Sequence, residues 1–429
     1  MINIISDFSS AIGQFLYILL AIALLLVMVL IHEFGHYTAG KLLGFKINEF
    51  AVGMGPKILS KKKKNGEVFS LRAFPLGGFC AFEGENEDSS EPVPGAFNNQ
   101  PPWKRIIVLV SGALFNFLTA VVCIVIAFSA FGDTAVSVSK VYEYSPSYTE
   151  NKLQVGDVFY SVDGKLLYLA ADFSSYISGK ETFDAVVIRD GEYVEVKDIP
   201  MGEYHINYVQ ASSADYDFGE YRPEYGHALY KINGQLIYTS GQLDIVLGSV
   251  GDSDTVEAVF IDNYAKEHTI TMTKADFVKN ISLFNQSYKG VGISTNYAHV
   301  DYTFGQALSR TFPYCFRVGG LILETLGGLF TGAVGVNEMS GPIGTISLTS
   351  QIVSTGIGNI LLLVAIISVN LAVFNLLPVP ALDGCQVIFV IIEWIRKKPI
   401  DRNLQGYINF AGLVFILLFA VMIDLLKVF

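Results

Sequence analysis

Cysteine is scarce in this chain of 429 residues, and the four present (Cys80, Cys123, Cys315 and Cys385) are scattered without a CxxC spacing. Their scatter argues against a disulfide framework and a cysteine-built zinc site. None lies between residues 133 and 303, so that stretch must fold on its core alone. Charge is scarce too, at 16% of residues against 51% hydrophobic. A single soluble domain of this length carries more, and long uncharged runs read as membrane spans. The charge is also uneven. Residues 133–303 hold 25 Asp and Glu against 12 Lys and Arg, a balance of −13, which leaves +2 for the rest of a chain whose total is −11. The basic excess that nucleic acid demands is missing, so no nucleic-acid partner is expected.

Long apolar runs are what the chain does have. A bilayer needs about 20 apolar residues per helix, and four segments qualify: from about Ala11 into the thirties, Ile106–Phe131, Ile360–Leu377 and Ile408–Leu426. The first lacks a basic start and a small-residue cleavage site, and it is too long for a signal-peptide core, so it is expected to remain as a span. Basic residues set the orientation. Lys61–Lys64, Arg72, Lys104 and Arg105 lie between spans one and two, and Arg396, Lys397, Lys398 and Arg402 between spans three and four. Both loops are expected in the cytoplasm, with both termini and the acidic 133–303 stretch outside.

Between spans one and two, INEFAVGMGPKI and EVFSLRAFPLGGF alternate apolar and polar residues with glycine breaks, which predicts strands and hairpins. A hairpin beside a membrane helix must pair its backbone groups internally or against protein. The outer stretch reads as mainly β. LQVGDVFYSVDGKLL (153–167) and GHALYKINGQLIY (226–238) share one strand–turn–strand pattern around Asp-Gly or Asn-Gly, which predicts two similar small β units in tandem. Residues 302–330 form a glycine-rich amphipathic stretch suited to the outer membrane surface. The glycines and proline of SGPIGTISLTS (340–350) are expected to break any helix before span three.

The chemistry sits at the end of span one. His32-Glu33-Phe34-Gly35-His36 is an H-E-x-x-H motif, and residues four apart on a helix share a face. Both imidazoles can then reach one zinc ion, leaving a position for water. Glu33, one residue on, is placed to take a proton from that water. Ionisable groups closing an apolar run are costly and usually functional. Capping the helix at headgroup level is the plain alternative. A third ligand must lie at matching depth. Span three runs the same way as span one, and its inner end carries NLLPVPALDG (375–384), where two prolines must break the helix. Asp383 is the best candidate there. Glu393 is assigned to the charged loop, and Asp424 to the far end of span four. Asn375, polar in an apolar span, either bonds helix to helix or holds the substrate backbone or its developing oxyanion.

These residues resemble the site-2 metalloproteases, and within them the bacterial proteases that cleave anti-sigma factors inside the membrane. HEFGH resembles the family's zinc motif and NLLPVPALDG its third-ligand motif. GFKINEFAVGMGPKI with FPLGGFCAFEGE is similar to its membrane-associated hairpin, FNNQPPWKRIIVLVSGALFNF to the entry of its second span, and SGPIG to the segment before its third. The family usually has a second glycine after Asp-Gly, where this chain has Cys385. The resemblance implies that His32, His36 and Asp383 bind zinc, that Glu33 is the general base and that Asn375 positions substrate. It also implies that the outer stretch is a PDZ-type module.

The expected fold is therefore a polytopic α-helical membrane protein of about four transmembrane helices, with a membrane-associated β-hairpin and an extracytoplasmic, mainly-β PDZ-like module. Four parts are expected: a first membrane part (1–132), the tandem PDZ-like module (133–300), a juxtamembrane amphipathic segment (301–357) and a second membrane part (358–429). The expected function is zinc-dependent hydrolysis of a peptide bond in or next to the transmembrane helix of a single-span protein, such as an anti-sigma factor already trimmed outside. The bulky outer module would exclude untrimmed substrates. A metal transporter is the rival reading, but the polar groups cluster at one depth and leave spans two and four almost bare. A receptor with a dead core is the other, and the intact motif speaks against it.

Overall fold

The computed structural model describes residues 2–85, 93–142, 152–212, 215–237, 240–263, 266–335 and 341–426. Ser340 and Tyr238, which belonged to two of the sequence patterns, lie outside them. The chain forms two compact units, one of Met1–Gly132 with Asp301–Phe429, the other of Asp133–Val300.

The first unit opens with helix α1 (Ile2–Leu43). Strands β1 (Ile47–Lys62) and β2 (Val68–Phe82) follow as an antiparallel ribbon with repeated register shifts. Phe50 pairs with both Cys80 and Phe69, so the ribbon folds back on itself and its backbone groups bond within it. Glu49 ties it together, accepting from Arg72 at 2.7 Å and Ser70 at 2.5 Å and pairing with Lys57 at 2.9 Å. Burial opposes the charge of Glu49, but these partners outweigh it and hold its pKa at about 2. Helix α2 (Pro102–Phe131) starts with Pro102 in its first turn, where a missing N–H costs nothing. It crosses α1 closely through small residues. A side chain at Gly35 would collide with the Ser111 carbonyl, and one at Gly112 with both His36 and His32.

The second unit contains two antiparallel sheets, one nested inside the other. Strands β3 (Asp133–Val141), β4 (Val158–Val162) and β5 (Lys165–Leu166), helix α3 (Ala170–Ile177) and strands β6 (Thr182–Arg189) and β7 (Glu192–Pro200) start the first. Then come β8 (Gly202–Ala211), β9 (His227–Ile232), β10 (Gln235–Leu236), α4 (Ser240–Gly248), β11 (Thr255–Ile261), β12 (Glu267–Thr273), α5 (Lys274–Asn280) and β13 (Ile281–Gly290), all of the second. Only afterwards does β14 (Ile293–Val300) return to pair with β3. The orders are β14-β3-β4-β6-β7, with β5 on β4, and β12-β11-β9-β8-β13, with β10 on β9. The sequence pattern implied two units one after the other. The structure inserts the second into the first, because the closing strand β14 carries no signal that distinguishes it from its neighbours. The shared turns do form. Asp163-Gly164 and Asn233-Gly234 all have positive φ, between 47° and 77°, the mirror-image turn that suits the twist of a two-residue hairpin. Each sheet has its own core, around Phe159, Val187 and Ile199 in one and Ile232, Val256 and Phe260 in the other.

The first unit resumes with α6 (Phe304–Thr331), α7 (Pro342–Val353), α8 (Ile357–Leu376), α9 (Asp383–Arg396) and α10 (Arg402–Leu426). Among the described residues four helices are long and apolar enough to cross a membrane: Gln14–Leu43, Pro102–Phe131, Ile357–Leu376 and Arg402–Leu426. They coincide with the four expected spans. Helix α6 packs on α2 through Phe117 and Phe316, ring centres 5.8 Å apart. The Gly-Pro expected to break a helix instead begins one. Pro342 opens α7, and Asp424 of α10 accepts from the Ile343 and Gly344 amides at 3.0 and 3.4 Å. A proline is disfavoured only where its N–H would have been bonded.

Glu393 is not part of a solvated loop either. It is buried on α9, where it accepts from Arg105 of α2 at 2.7 Å, Gln405 at 3.2 Å and the Ile400 amide at 3.1 Å, and pairs with Arg402 at 3.3 Å. Burial works against the charge, but these donors outweigh it and hold the carboxyl below its usual range.

Candidate active site

Helix α1 carries His32 and His36 one turn apart, with rings edge to face and centres 4.7 Å apart. Helix α8 ends at Leu376, and Pro378 and Pro380 lie in the break before α9. The break is tight. Ala381 has φ of 76°, a left-handed conformation that costs a side chain about 1–2 kcal/mol. Gly384 leaves no space for a side chain beside the Leu376 and Leu377 carbonyls. This turn sets Asp383 in the first turn of α9 and brings it to the two histidines, across 351 residues of sequence.

Three atoms converge. Asp383 Oδ2 lies 2.9 Å from His32 Nε2 and 3.3 Å from His36 Nε2, and the two Nε2 atoms are 3.1 Å apart. Both histidines are buried, and Asp383 keeps a side-chain exposure of 22%. His36 Nδ1 donates to the Val108 carbonyl at 2.8 Å, so its Nε2 offers a lone pair to the cluster. With both Nε2 atoms unprotonated, three lone-pair donors point at one place, where a cation would offset their repulsion. Zinc ligands at about 2.0–2.2 Å in a tetrahedron stand roughly 3.3 Å apart. The observed spacing fits that donor set, and among the described residues these three form the one group able to hold a metal ion. Cys385, next to Gly384, is buried and lies outside that group.

Glu33 is half-buried beside the cluster and accepts from the Cys80 amide of β2 at 3.0 Å. The ribbon therefore fixes one carboxylate oxygen and leaves the other available. Asn375 of α8 is half-buried too, its Nδ2 3.4 Å from His32 Nδ1 and 3.5 Å from Nε2. All five residues singled out in the sequence thus meet in one place.

Two residues were missed. Asn116 of α2 is fully buried with Nδ2 3.4 Å from His32 Nδ1. A lone asparagine in an apolar span was the signal, the same one that marked Asn375. Glu85 follows β2 and accepts from the Phe82 amide at 3.3 Å. Burial chiefly, with further help from the Asp383 and Glu33 charges, pushes it up to about 7. It lines a cavity of about 520 Å³ with Arg105, Gln386 and Asn409.

Comparison with known proteins gives the family. The model of peptidase family M50 matches residues 20–419. A Streptococcus pyogenes serotype M1 protein named "Putative zinc metalloprotease" is 28% identical over 433 residues, spanning 94% of this chain and 97% of its own. The regulator of sigma-W protease RasP of Bacillus subtilis is 27% identical over 416 residues, spanning 91% of this chain and 93% of its own. A Fusobacterium nucleatum protein, again named "Putative zinc metalloprotease", is 25% identical over 413 residues, with 95% and 96% covered.

Proposed function

The chain belongs to peptidase family M50, the site-2 proteases, and is a zinc metalloprotease of the membrane; on that premise we propose that it hydrolyses a peptide bond in or next to the transmembrane helix of a single-span protein. Its substrate is an anti-sigma factor or similar regulator whose outer part has already been removed. The likeness to a regulator of sigma-W protease supports that class. His32, His36 and Asp383 hold the zinc, and the convergence of their three donor atoms within 3.3 Å carries this reading.

A bound zinc ion supplies Lewis acidity, which polarises the scissile carbonyl and acidifies the attacking water. Glu33 takes the proton from that water and delivers it to the leaving amine, its carboxylate aimed by the Cys80 amide. Asn375, half exposed at the cluster, donates its amide to the substrate backbone. The basic loops, with Lys61–Lys64 and Arg396–Lys398, face the cytoplasm, while both termini and residues 133–300 lie outside. The outer, acidic unit is a PDZ-like size filter that admits trimmed substrates.

The test is reconstitution of purified protein into vesicles with a panel of single-span peptides, with and without a chelator. Cleavage inside or beside the span, abolished by chelation and restored by zinc, is expected. Zinc-dependent cleavage confined to soluble peptides would overturn the intramembrane assignment.

A further inference from the structure

Asn116 is fully buried on α2, and its Oδ1 has no hydrogen-bond partner, while its Nδ2 faces His32 Nδ1. His32 Nε2 lies in the cluster with His36 Nε2 and Asp383 Oδ2. A ring that ligates a metal through Nε2 carries its proton on Nδ1. In that orientation an amide donor faces an N–H donor, while the acceptor of the same amide stands idle. The oxygen and nitrogen of an amide have nearly the same shape, and which is which follows from the bonds they must make. Turned over, the amide sets Oδ1 where Nδ2 stands, 3.4 Å from Nδ1.

We infer that Asn116 is a positioning residue, whose Oδ1 accepts from His32 Nδ1–H and so holds the ring with its Nε2 lone pair aimed at the zinc. This rests on the ligand assignment above. It places Asn116 for His32 where the Val108 carbonyl stands for His36. Asn375 does not share the task. Its Nδ2 is almost equidistant from both nitrogens of the ring, off the line of either N–H. It is also half exposed where Asn116 is sealed. One asparagine is available to substrate, and the other is not.

Partners of this kind are worth about 10–100-fold in metal affinity. The experiment measures zinc affinity by chelator competition on purified full-length protein, with thermal melting as the check on folding. Asn116→Leu keeps the size and removes the acceptor, and its zinc affinity should fall about 10–100-fold, with activity recovered in excess zinc. Asn116→Asp keeps an acceptor, so its affinity should equal or exceed that of wild type. Wild-type affinity in folded Asn116→Leu would overturn the assignment. If that variant fails to fold, a more than tenfold loss in folded Asn116→Asp would overturn it equally. His32→Ala separates the two readings. Retained zinc there removes the ligand assignment itself, whereas zinc lost in His32→Ala but kept in Asn116→Leu removes only the role of Asn116.

Discussion

Two buried polar clusters sit in the membrane unit, and they differ in what completes them. Around Glu393, one carboxylate meets Arg105, Arg402, Gln405 and a backbone amide. Every charge there has a partner within the protein. Around His32, His36 and Asp383, three atoms able to offer lone pairs converge, a set that the proposed zinc would complete. The first cluster fastens α2, α9 and α10 together. The second is held open by tight backbone, with Gly35, Gly112 and Gly384 at its edges. Burial alone does not mark a functional site, since both clusters are buried. An unbalanced set of donors does.

The largest effect expected from breaking this contrast is at the ligands. His36→Ala or Asp383→Ala should lose tightly held zinc, read by metal analysis, and hydrolysis should fall to background. Unchanged zinc in Asp383→Ala would remove that residue from the site. Next comes Glu33→Gln, which should keep its zinc while hydrolysis falls by about 10²–10⁴-fold. A wild-type rate in that zinc-loaded variant would refute the role of Glu33 as base.

The closed cluster should answer differently. Glu393→Ala strands Arg105 in the interior and should destabilise the protein by about 3–5 kcal/mol. Arg105→Met with Glu393→Leu removes both charges and should recover most of that loss. Denaturation in detergent reads both. Because the Glu393 pKa is lowered from an ordinary 4.5, its stabilisation is complete above that value. It is lost as pH falls through the lower, folded value. Melting temperature against pH should show an acid decline that Glu393→Gln flattens. The smallest effect is at the turn that presents Asp383. Ala381→Gly relieves the left-handed strain and should gain no more than about 1 kcal/mol, because glycine also loosens the unfolded chain.

The spans, the H-E-x-x-H spacing and the meeting of Asp383 with the two histidines were legible because each leaves a local mark: an apolar run, a four-residue spacing, prolines at a helix end. The Asp-Gly and Asn-Gly turns were legible for the same reason. Glu393 was misread because its neighbours in sequence, Arg396 to Lys398, are loop-like, whereas its principal partner Arg105 lies 288 residues away. Asn116 escaped because span two reads as almost bare of polar groups, and one amide in a long apolar run hardly changes that reading. The insertion of one sheet into the other escaped because pairing partners leave no local trace at all.

That insertion has a consequence in time. Asp133 pairs with Val300 and Val141 with Ile293, so β3 is made long before its partner exists. At the usual pace of synthesis, about 5–20 residues per second, it waits on the order of ten seconds or more. The inner sheet, complete from β8 to β13, has all its strands meanwhile and can close first. Long-range strand pairing is slow in any case, and here it is also last in line. The outer sheet's N-terminal strand therefore spends that interval unpaired along the edge where β14 will lie, and that edge stays open to misassociation until the final strand arrives.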